Sequence, residues 1–322
     1  MNFADINNNQ EVFTFVPSYN HAPFIEKCLK SIIKQTLSPK KPLVIDDGSK
    51  DNSPKIIERV LKDCPFDAEL IVRENRGLCA TLNEGFSKSS GEYFAYIGLD
   101  DIWFPKFLEE RVKLLNKHQT AVLGYGNALF LNEEDEIFES SAEWWNFPTE
   151  AREMLRLGSA PISSTVFYRR KALEKYRWNE NSRLEDYEFY IKLSDEGGFV
   201  FDPQVLSVWR HHNHNVSGDI KLMLREVLAA QNRNTEKLGL NKENIGEIQQ
   251  QVRFRYARDF LHKGLKKEAL KLALENWRGA DSIKQIVKFS ARMFVPMSVI
   301  KMRRKLWREK LRQKYKIEED HK

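Results

Sequence analysis

Hydrophobic residues in the first hundred positions alternate between short uninterrupted runs and longer stretches with helical spacing. The short runs suit buried strands, and the longer stretches, with an apolar residue every three or four positions, suit helices packed on a sheet. The predicted strands are residues 12–16, 43–45, 69–72 and 93–97, and a predicted helix follows each of them. This order predicts an α/β fold with a mostly parallel central sheet and helices on both faces.

The chain changes character after this part. Three further strands are predicted, at residues 122–125, 164–168 and 199–209. After Gly218 the apolar residues have helical spacing with little strand signal, and Gly264 interrupts that pattern in the manner of a helical hairpin. We therefore expect an α/β domain over residues 1–220 and a helical, basic region over residues 221–322.

Charge and cysteine content narrow the class of protein. The formal net charge of +6 suits a protein that handles anionic ligands or an anionic surface, and does not by itself indicate nucleic acid. The three cysteines have no metal-ligand spacing, and an odd number argues against a disulfide framework. No apolar run reaches the roughly 18–20 residues that span a bilayer. The polar first ten residues lack the features of a secretory signal, so we expect a cytoplasmic protein.

Two predicted strands end in paired aspartates, Asp46-Asp47 and Asp100-Asp101. In such sheets ligands bind beyond the carboxyl ends of the strands. Adjacent carboxylates repel each other, and their burial is costly unless a cation or hydrogen bonds compensate. A divalent metal on a diphosphate is one such compensation. The alternative is a solvated turn at the first pair and a helix cap at the second.

These aspartates belong to a longer series of motifs. The series consists of Val16-Pro17-Ser18-Tyr19-Asn20, Val44-Ile45-Asp46-Asp47-Gly48-Ser49 with Asp51, Asn75-Arg76-Gly77-Leu78 with Asn83, Gly91-Glu92-Tyr93, Leu99-Asp100-Asp101, Leu184-Glu185-Asp186-Tyr187, and the segment from Trp209 to Ser217. In order and spacing, the series closely resembles the family 2 glycosyltransferases over residues 11–218. The resemblance implies a GT-A fold, a nucleotide-sugar donor, with a UDP-sugar favoured, and a divalent metal cofactor, Mn²⁺ or Mg²⁺.

The resemblance also assigns roles on the donor side. Pro17 and Tyr19 match positions that contact the nucleotide base, and Asp47 matches the aspartate that hydrogen-bonds the base. Asp100 matches the residue near the ribose and the metal, and Asp101 matches the principal metal ligand.

On the acceptor side, the resemblance makes Asp186 the general base and His212 a histidine near the diphosphate that assists the metal. A single base without a protein nucleophile implies direct displacement with inversion. Two positions depart from the family pattern. Gly98 replaces the first carboxylate of an Asp-x-Asp-Asp motif, and Leu82 replaces an Arg, for which Arg76 is a candidate substitute at the donor phosphate.

Two of these assignments have structural alternatives. Asp186 could simply complement the dipole of a helix N-terminus. His211, His212 and His214 could form a metal site of their own. Alternation along an extended segment would instead place His212 and His214 on one face and His211 on the other.

Three other protein classes are alternatives to a glycosyltransferase. A nucleotidyltransferase usually needs a Gly-rich phosphate loop near the first strand, which residues 17–22 do not provide. A non-catalytic nucleotide-binding or nucleic-acid-binding module would not explain the Asp186 motif. A processive synthase would carry membrane spans and a Gln-x-x-Arg-Trp motif, and the sequence shows neither. We therefore expect sugar transfer to a glycan or lipid-linked acceptor in surface glycan assembly, without a nucleic-acid partner.

The basic tail, Lys301 to Lys316, has three interpretations: a solvated helix face, an anchor to anionic lipid, or a nucleic-acid patch. Leu306, Trp307 and Leu311 would add a shallow apolar contact with a membrane. The lipid interpretation is favoured and predicts a peripheral position on the inner face of the membrane. Because every family motif lies before residue 220, removal of the tail is expected to leave donor chemistry unchanged.

Overall fold

The computed structural model describes residues 11–146, 150–212 and 215–315. Within these ranges the strands are β1 Val12–Ser18, β2 Leu43–Asp46, β3 Glu69–Val72, β4 Tyr93–Tyr96, β5 Ile102–Trp103, β6 Ala121–Leu131, β7 Ile137–Ser140, β8 Phe167–Arg169 and β9 Gly198–Arg210. The helices are α1 Ile25–Ile33, α2 Ser53–Lys62, α3 Leu78–Ser87, α4 Phe107–Lys117, α5 Ala151–Arg156, α6 Arg170–Leu173, α7 Glu185–Leu193, α8 Ile220–Arg233, α9 Ile245–His262, α10 Lys266–Glu275, α11 Ile283–Met293 and α12 Met297–Lys314.

The strands form one sheet in the order β3-β2-β1-β4-β8-β6-β9-β5, with β7 paired to β6. β1 is parallel to both β2 and β4, and β2 is parallel to β3. β8 runs antiparallel to β4 and β6, whereas β6 and β9 are parallel. The predicted α/β class and the parallel arrangement of the first four strands are therefore confirmed, and β8 makes the whole sheet mixed.

β1 lies inside the parallel set and is buried along its entire length. Phe13 and Phe15 belong to the hydrophobic cluster on one face of the sheet, and Val12 and Val16 to the cluster on the other. This alternation is what a strand covered by helices on both faces requires.

The register of the parallel strands brings their carboxyl ends to one edge. Ser18, the last residue of β1, pairs with Asp46, the last residue of β2. On the other side of β1, Phe15 pairs with Tyr96, the last residue of β4. The loops that follow these three strands therefore share the edge at which ligands bind in such sheets.

The sequence pattern does not predict β5 or β7. β5 has two residues, and β7 has four, of which only the first and last are buried. Neither is long enough to show a period-2 alternation. Their pairing with β9 and β6 depends on contacts that are distant in sequence.

The chain after residue 220 is helical, as predicted, and Gly264 (φ +83°) separates α9 from α10. These helices share a hydrophobic cluster with the sheet. At Gly158 (φ +65°), an added Cβ would lie 3.1 Å from both Val227 of α8 and Val252 of α9. The division at residue 220 stays a prediction.

α12 folds back onto β7. Leu311 is only 1% exposed and packs in a small cluster with Leu129 and Val208. Trp307 of the same helix donates from Nε1 to a carboxylate oxygen of Glu139 at 3.1 Å. The expectation that Leu311 contacts a membrane is therefore wrong, whereas Leu306 is exposed. No helix in the described ranges combines the length and apolar character that crossing a membrane requires.

Candidate active site

The first aspartate pair begins with a fully buried carboxylate. Asp46 accepts hydrogen bonds from the hydroxyls of Ser18 (2.7 Å) and Ser49 (2.6 Å), which ties the end of β1 to the loop after β2. In that loop Gly48 has φ +78°, and a Cβ there would lie 2.7 Å from the backbone nitrogen of Asn75. The glycine thus permits two loops to touch through their backbones. The solvated-turn interpretation is wrong for Asp46.

Asp47 holds the loop after β3 in place through hydrogen bonds to its backbone. Its two carboxylate oxygens accept the backbone N–H groups of Arg76 and Gly77, each at 2.8 Å. Oδ1 also pairs with the guanidinium of Arg73, a residue that the sequence pattern does not single out. A carboxylate has about four lone-pair positions, so Asp47 keeps one acceptor position, on Oδ2.

The other predicted donor contacts lie at the same edge with different exposure. Pro17 is buried within β1, where it pairs with Ile45. Tyr19 is 46% exposed, and the side chain of Arg76 is 59% exposed, 3.4 Å from Glu84. Tyr19 and Arg76 are thus accessible to a ligand.

The loop after β1 is fixed by side chains from the loop after β2. The hydrogen bonds run from the N–H of Asn20 to Ser49 Oγ (2.8 Å), from that of His21 to Ser53 Oγ (3.0 Å), and from that of Ala22 to Asp51 Oδ2 (3.1 Å). This arrangement holds the backbone of His21 at the ligand edge of the sheet.

His21, Asp100 and His212 form the candidate metal centre. One ligand atom from each residue lies within 4.8 Å of the others. Nε2 of His212 is 3.0 Å from Oδ2 of Asp100, and the His212 ring stacks on Phe24 with centroids 5.4 Å apart. Burial favours a higher pKa for Asp100, but the hydrogen bond to His212 and the nearby His21 hold that pKa below its usual value. Two imidazoles and a carboxylate can hold a divalent ion.

Asp101, the predicted principal metal ligand, lies beside this group and is not a member of it. Its Oδ1 accepts the backbone N–H of Arg210 at 2.9 Å. Burial and the adjacent charge of Asp100 raise the pKa of Asp101 well above its usual value. A cation between the two carboxylates would relieve that repulsion. The helix-cap alternative for this pair is wrong, because β5 lies between it and α4.

Asp186 lies in the first turn of α7, beside Glu185. Burial raises the pKa of Asp186 to about 6, although the backbone N–H groups of Tyr187 and of Asp186 itself oppose the rise. Burial and the charges of Asp186 and Asp100 raise the pKa of Glu185 to about 8. Glu185 is therefore within electrostatic range of Asp100 in the candidate metal centre.

Buried tyrosines lie behind this acidic pair. The hydroxyls of Tyr96, Tyr168 and Tyr190 are enclosed, and burial together with the charge of Asp186 raises the pKa of each. The pKa of Tyr256, on α9, is raised by burial and in part by Asp186. Helix α9 therefore lies within electrostatic range of Asp186, which the sequence motifs do not reveal.

The other histidines of the motif are separate. The His211 ring lies 6.0 Å from Phe138 and 5.7 Å from Trp209, outside the candidate metal centre. Burial and Lys263 lower the pKa of His211. His214 lies outside the described residues, so the three-histidine alternative is tested only for His211 and His212.

Asn83 has a structural role in this fold. Its Nδ2 donates to the Trp178 carbonyl at 3.0 Å, and its Oδ1 accepts the Trp178 N–H at 2.9 Å. These two bonds join α3 to the segment before α7. Leu82, where the family pattern has Arg, is fully buried.

Known proteins match this chain in sequence. The model of the family described as glycosyl transferase family 2 matches residues 14–177 of the 322. An uncharacterized glycosyltransferase of Rickettsia conorii is 35% identical over 220 residues, which are 65% of this chain and 35% of the relative. The hyaluronan synthase of Pasteurella multocida is 26% identical over 246 residues, 75% of this chain and 23% of the relative. The chain thus spans well under half the length of these two relatives.

Solved structures match the fold. The mannosyltransferase PcManGT from Pyrobaculum calidifontis, in complex with GDP-Man and Mn²⁺, superposes with a TM-score of 0.60 at 16% identity, over 94% of this chain and 84% of that one. TarS 1–349 of S. aureus, in complex with UDP-GlcNAc, gives a TM-score of 0.54 at 14% identity, over 83% and 89%. At these identities the matches establish the shared GT-A fold.

Proposed function

Because the chain belongs to glycosyl transferase family 2, we propose that it transfers a sugar from a nucleoside diphosphate to an acceptor hydroxyl with inversion. One observation carries this proposal. His21, Asp100 and His212, which could hold a metal ion, lie within electrostatic range of Glu185, and Glu185 and its neighbour Asp186 are a partly buried carboxyl pair with raised pKa values. Binding of a diphosphate and abstraction of a proton are thereby combined in one site.

The proposed metal ligands are Asp101 and His212, as the resemblance implies, together with Asp100 and His21. The donor set fits a divalent ion, and its two imidazole nitrogens favour Mn²⁺ over Mg²⁺, which prefers oxygen ligands. A bound ion supplies positive charge to the departing diphosphate. Other residues of the chain hold the proposed ligands in place: Ser53 fixes the backbone of His21, and Arg210 fixes one oxygen of Asp101.

Asp47 is the proposed reader of the base. Its remaining acceptor position can receive the N3–H of uracil or thymine, and a UDP-sugar is the favoured donor. Tyr19 is exposed at the same edge and Pro17 lies at the end of β1, so both are proposed base contacts. Arg76, with an exposed guanidinium, is proposed to contact the donor phosphates.

Asp186 is the proposed general base. Its carboxylate accepts the proton of the acceptor hydroxyl while the oxygen bonds to the anomeric carbon and the bond to the diphosphate breaks. A pKa of about 6 leaves Asp186 mostly ionised at neutral pH and more basic than an ordinary aspartate. A single base of this kind predicts inversion.

The acceptor is proposed to be a glycan or a lipid-linked glycan in surface polysaccharide assembly, in line with the synthase among the relatives. A cytoplasmic location fits Cys28, Cys64 and Cys79, which are free thiols. A peripheral position on the inner face of the membrane fits the basic C-terminal region. No nucleic-acid partner is proposed.

The experiment is a thermal-shift panel of UDP-, dTDP-, GDP- and CMP-linked sugars with Mn²⁺, followed by NMR analysis of the anomeric configuration of the product. We expect a UDP-sugar to raise Tm most, because a ligand of the native state stabilises it. Retention of configuration would exclude the single-base mechanism. Equal shifts with all four nucleotides would exclude Asp47 as the reader of the base.

A further inference from the structure

A basic pocket lies far along the chain from the family motifs, between α9 and α11. Its volume is about 310 Å³, and its lining includes Arg258 and His262 of α9 with Lys284, Lys288 and Arg292 of α11. Among the described residues, no acidic side chain lines it. A cavity with this lining suits an anionic group of about the size of a phosphoryl headgroup.

Contacts within the pocket concentrate the positive charge further. Arg292 lies 3.2 Å from the His262 imidazole, and Arg304 of α12 donates to the His262 carbonyl at 2.5 Å. Burial and the charges of Arg292, Arg258 and Arg304 lower the pKa of His262. The pocket therefore lies in a positive field, which Asp259 offsets in part through its interaction with Arg258.

α11 also presents an apolar strip to solvent. At about 100° per residue, Ile283, Val287 and Phe294, the residue directly after α11, fall within about 40° of one another around the helix. Their exposed fractions are 80%, 60% and 86%. The buried face of the helix is elsewhere, at Phe289. The strip therefore has no partner within the described chain.

The apolar strip belongs to a part of the chain that is rich in exposed apolar side chains. Of thirteen large apolar side chains that are exposed in the described ranges, nine lie between Leu265 and Leu306. Going around the helix from the apolar strip, Lys284 and Lys288 lie at about 60–140° and Arg292 at about 140–180°. Exposed apolar residues with cations farther around the same helix are the pattern of a helix lying on an anionic bilayer.

We propose that α11 lies on an anionic membrane, with Ile283, Val287 and Phe294 in the interface and a lipid phosphoryl headgroup in the pocket between α9 and α11. This proposal sharpens the peripheral location proposed above and moves the contact from the buried side of α12 to α11. It does not depend on sugar transfer, because vesicle binding is measured without donor or acceptor.

The test compares two double variants of the full chain in flotation with phosphatidylcholine vesicles with or without phosphatidylglycerol. Lys288→Gln with Arg292→Gln removes two pocket cations, and Arg303→Gln with Lys305→Gln removes two exposed cations of α12. At about 1 kcal/mol per cation, we expect the pocket pair to weaken binding to the anionic vesicles about 30-fold. The α12 pair should change it by less than about threefold, since those charges lie outside the pocket.

Two further experiments distinguish a lipid from other ligands of the strip and the pocket. Val287→Ser with Phe294→Ser should weaken vesicle binding, whereas Val72→Ser, at an exposed apolar position on β3, should not. Inorganic phosphate is titrated calorimetrically into the wild-type protein and the pocket variant. Phosphate binding without vesicle binding would overturn the lipid assignment in favour of a soluble anion.

The proposal also fails in three other cases. Equal losses in the two charge variants would indicate only a general attraction of the tail. Dimerisation that the Val287→Ser, Phe294→Ser variant abolishes would assign the strip to a second copy of this chain. Binding of an oligonucleotide through the pocket cations, without vesicle binding, would assign the pocket to nucleic acid.

Discussion

The backbone N–H of Arg210 donates to Oδ1 of Asp101 over 2.9 Å, so strand β9 fixes one oxygen of the metal-motif carboxylate. The Arg210 guanidinium adds a second link, since its Nε donates to the Asp100 carbonyl at 2.9 Å. Both aspartates are therefore held in place before any ligand arrives. Because Oδ1 is engaged, Oδ2 is the oxygen of Asp101 that remains for an ion.

The Asp101→Asn variant should fold normally and lose metal-dependent donor binding. Asparagine can keep the hydrogen bond from Arg210, but an amide lacks the negative charge that the cation needs. We expect UDP affinity in Mn²⁺, measured by calorimetry, to fall by at least about tenfold. The exposed Asp63→Asn is the control. Full transfer activity in the Asp101 variant would remove this residue from the ligand set.

The His21→Gln variant should weaken Mn²⁺ binding by about 10–100-fold, as loss of a ligand or its close support does. Because Mg²⁺ prefers oxygen ligands, its affinity should change less. Electron paramagnetic resonance of free Mn²⁺ measures binding without any substrate. His118→Gln, at an exposed histidine, provides the comparison. If both variants bind Mn²⁺ like the wild type, His21 is not a ligand.

Asp186→Asn should lower turnover by a factor of about 10²–10⁴, the usual contribution of a positioned base. Donor affinity should remain nearly unchanged if Asp186 acts on the acceptor, as proposed. Steady-state kinetics with parallel calorimetry separates the two quantities. A collapse of donor affinity would place Asp186 in the donor site instead.

The pH dependence should report the coupled carboxyls Glu185 and Asp186. A base acts when it is deprotonated, so kcat should rise with pH through the raised pKa values of about 6 and about 8. Glu185→Gln removes the repulsion between the two charges and should shift the profile to lower pH. A profile unchanged by this substitution would show that the two groups do not interact.

The same pair should also affect stability. Its pKa values are raised in the folded state, so the folded protein holds these protons more tightly than the unfolded chain does. The contribution of this carboxyl pair to the free energy of unfolding is therefore lost as pH rises from the ordinary carboxyl pKa range through about 6 and about 8. Relative to the wild type, Glu185→Gln should gain Tm between pH 5 and 9.

Leu311→Ala should lower the free energy of unfolding by about 2–4 kcal/mol, because it opens a cavity among Leu129, Ile137 and Val208. Urea denaturation measures the change. Leu306→Ala, on the exposed side of the same helix, should stay within about 0.5 kcal/mol. Equal stability of the two variants would show that α12 is not docked. Truncation before Lys301 should likewise destabilise the protein, contrary to the expectation from motif positions alone.

The pattern of apolar residues along the chain predicts those strands and helices that are long enough to show it. Apolar runs predict β1 to β4, and the two aspartate pairs do lie at one edge of the sheet, because parallel strands end on one side. His21 could have been found by the same reasoning, since it follows β1 at that edge. The contact of Arg210 with Asp101 could not, because it joins residues 109 positions apart. The placement of Leu311 was missed for the same reason: a basic amphipathic helix has one apolar face, and sequence alone does not say whether protein or lipid covers it.

The docking of α12 has a consequence for how the protein matures during synthesis. The hydrogen bond from Trp307 to Glu139 spans 168 positions, and Leu311 packs against Val208, two residues before Arg210 in β9. Contacts of such separation form only after the intervening chain has been made. A nascent chain still attached to the ribosome near residue 300 can therefore contain every family motif and yet lack the support behind the strand that fixes Asp101. Competence for metal binding should therefore appear only after α12 has emerged from the ribosome.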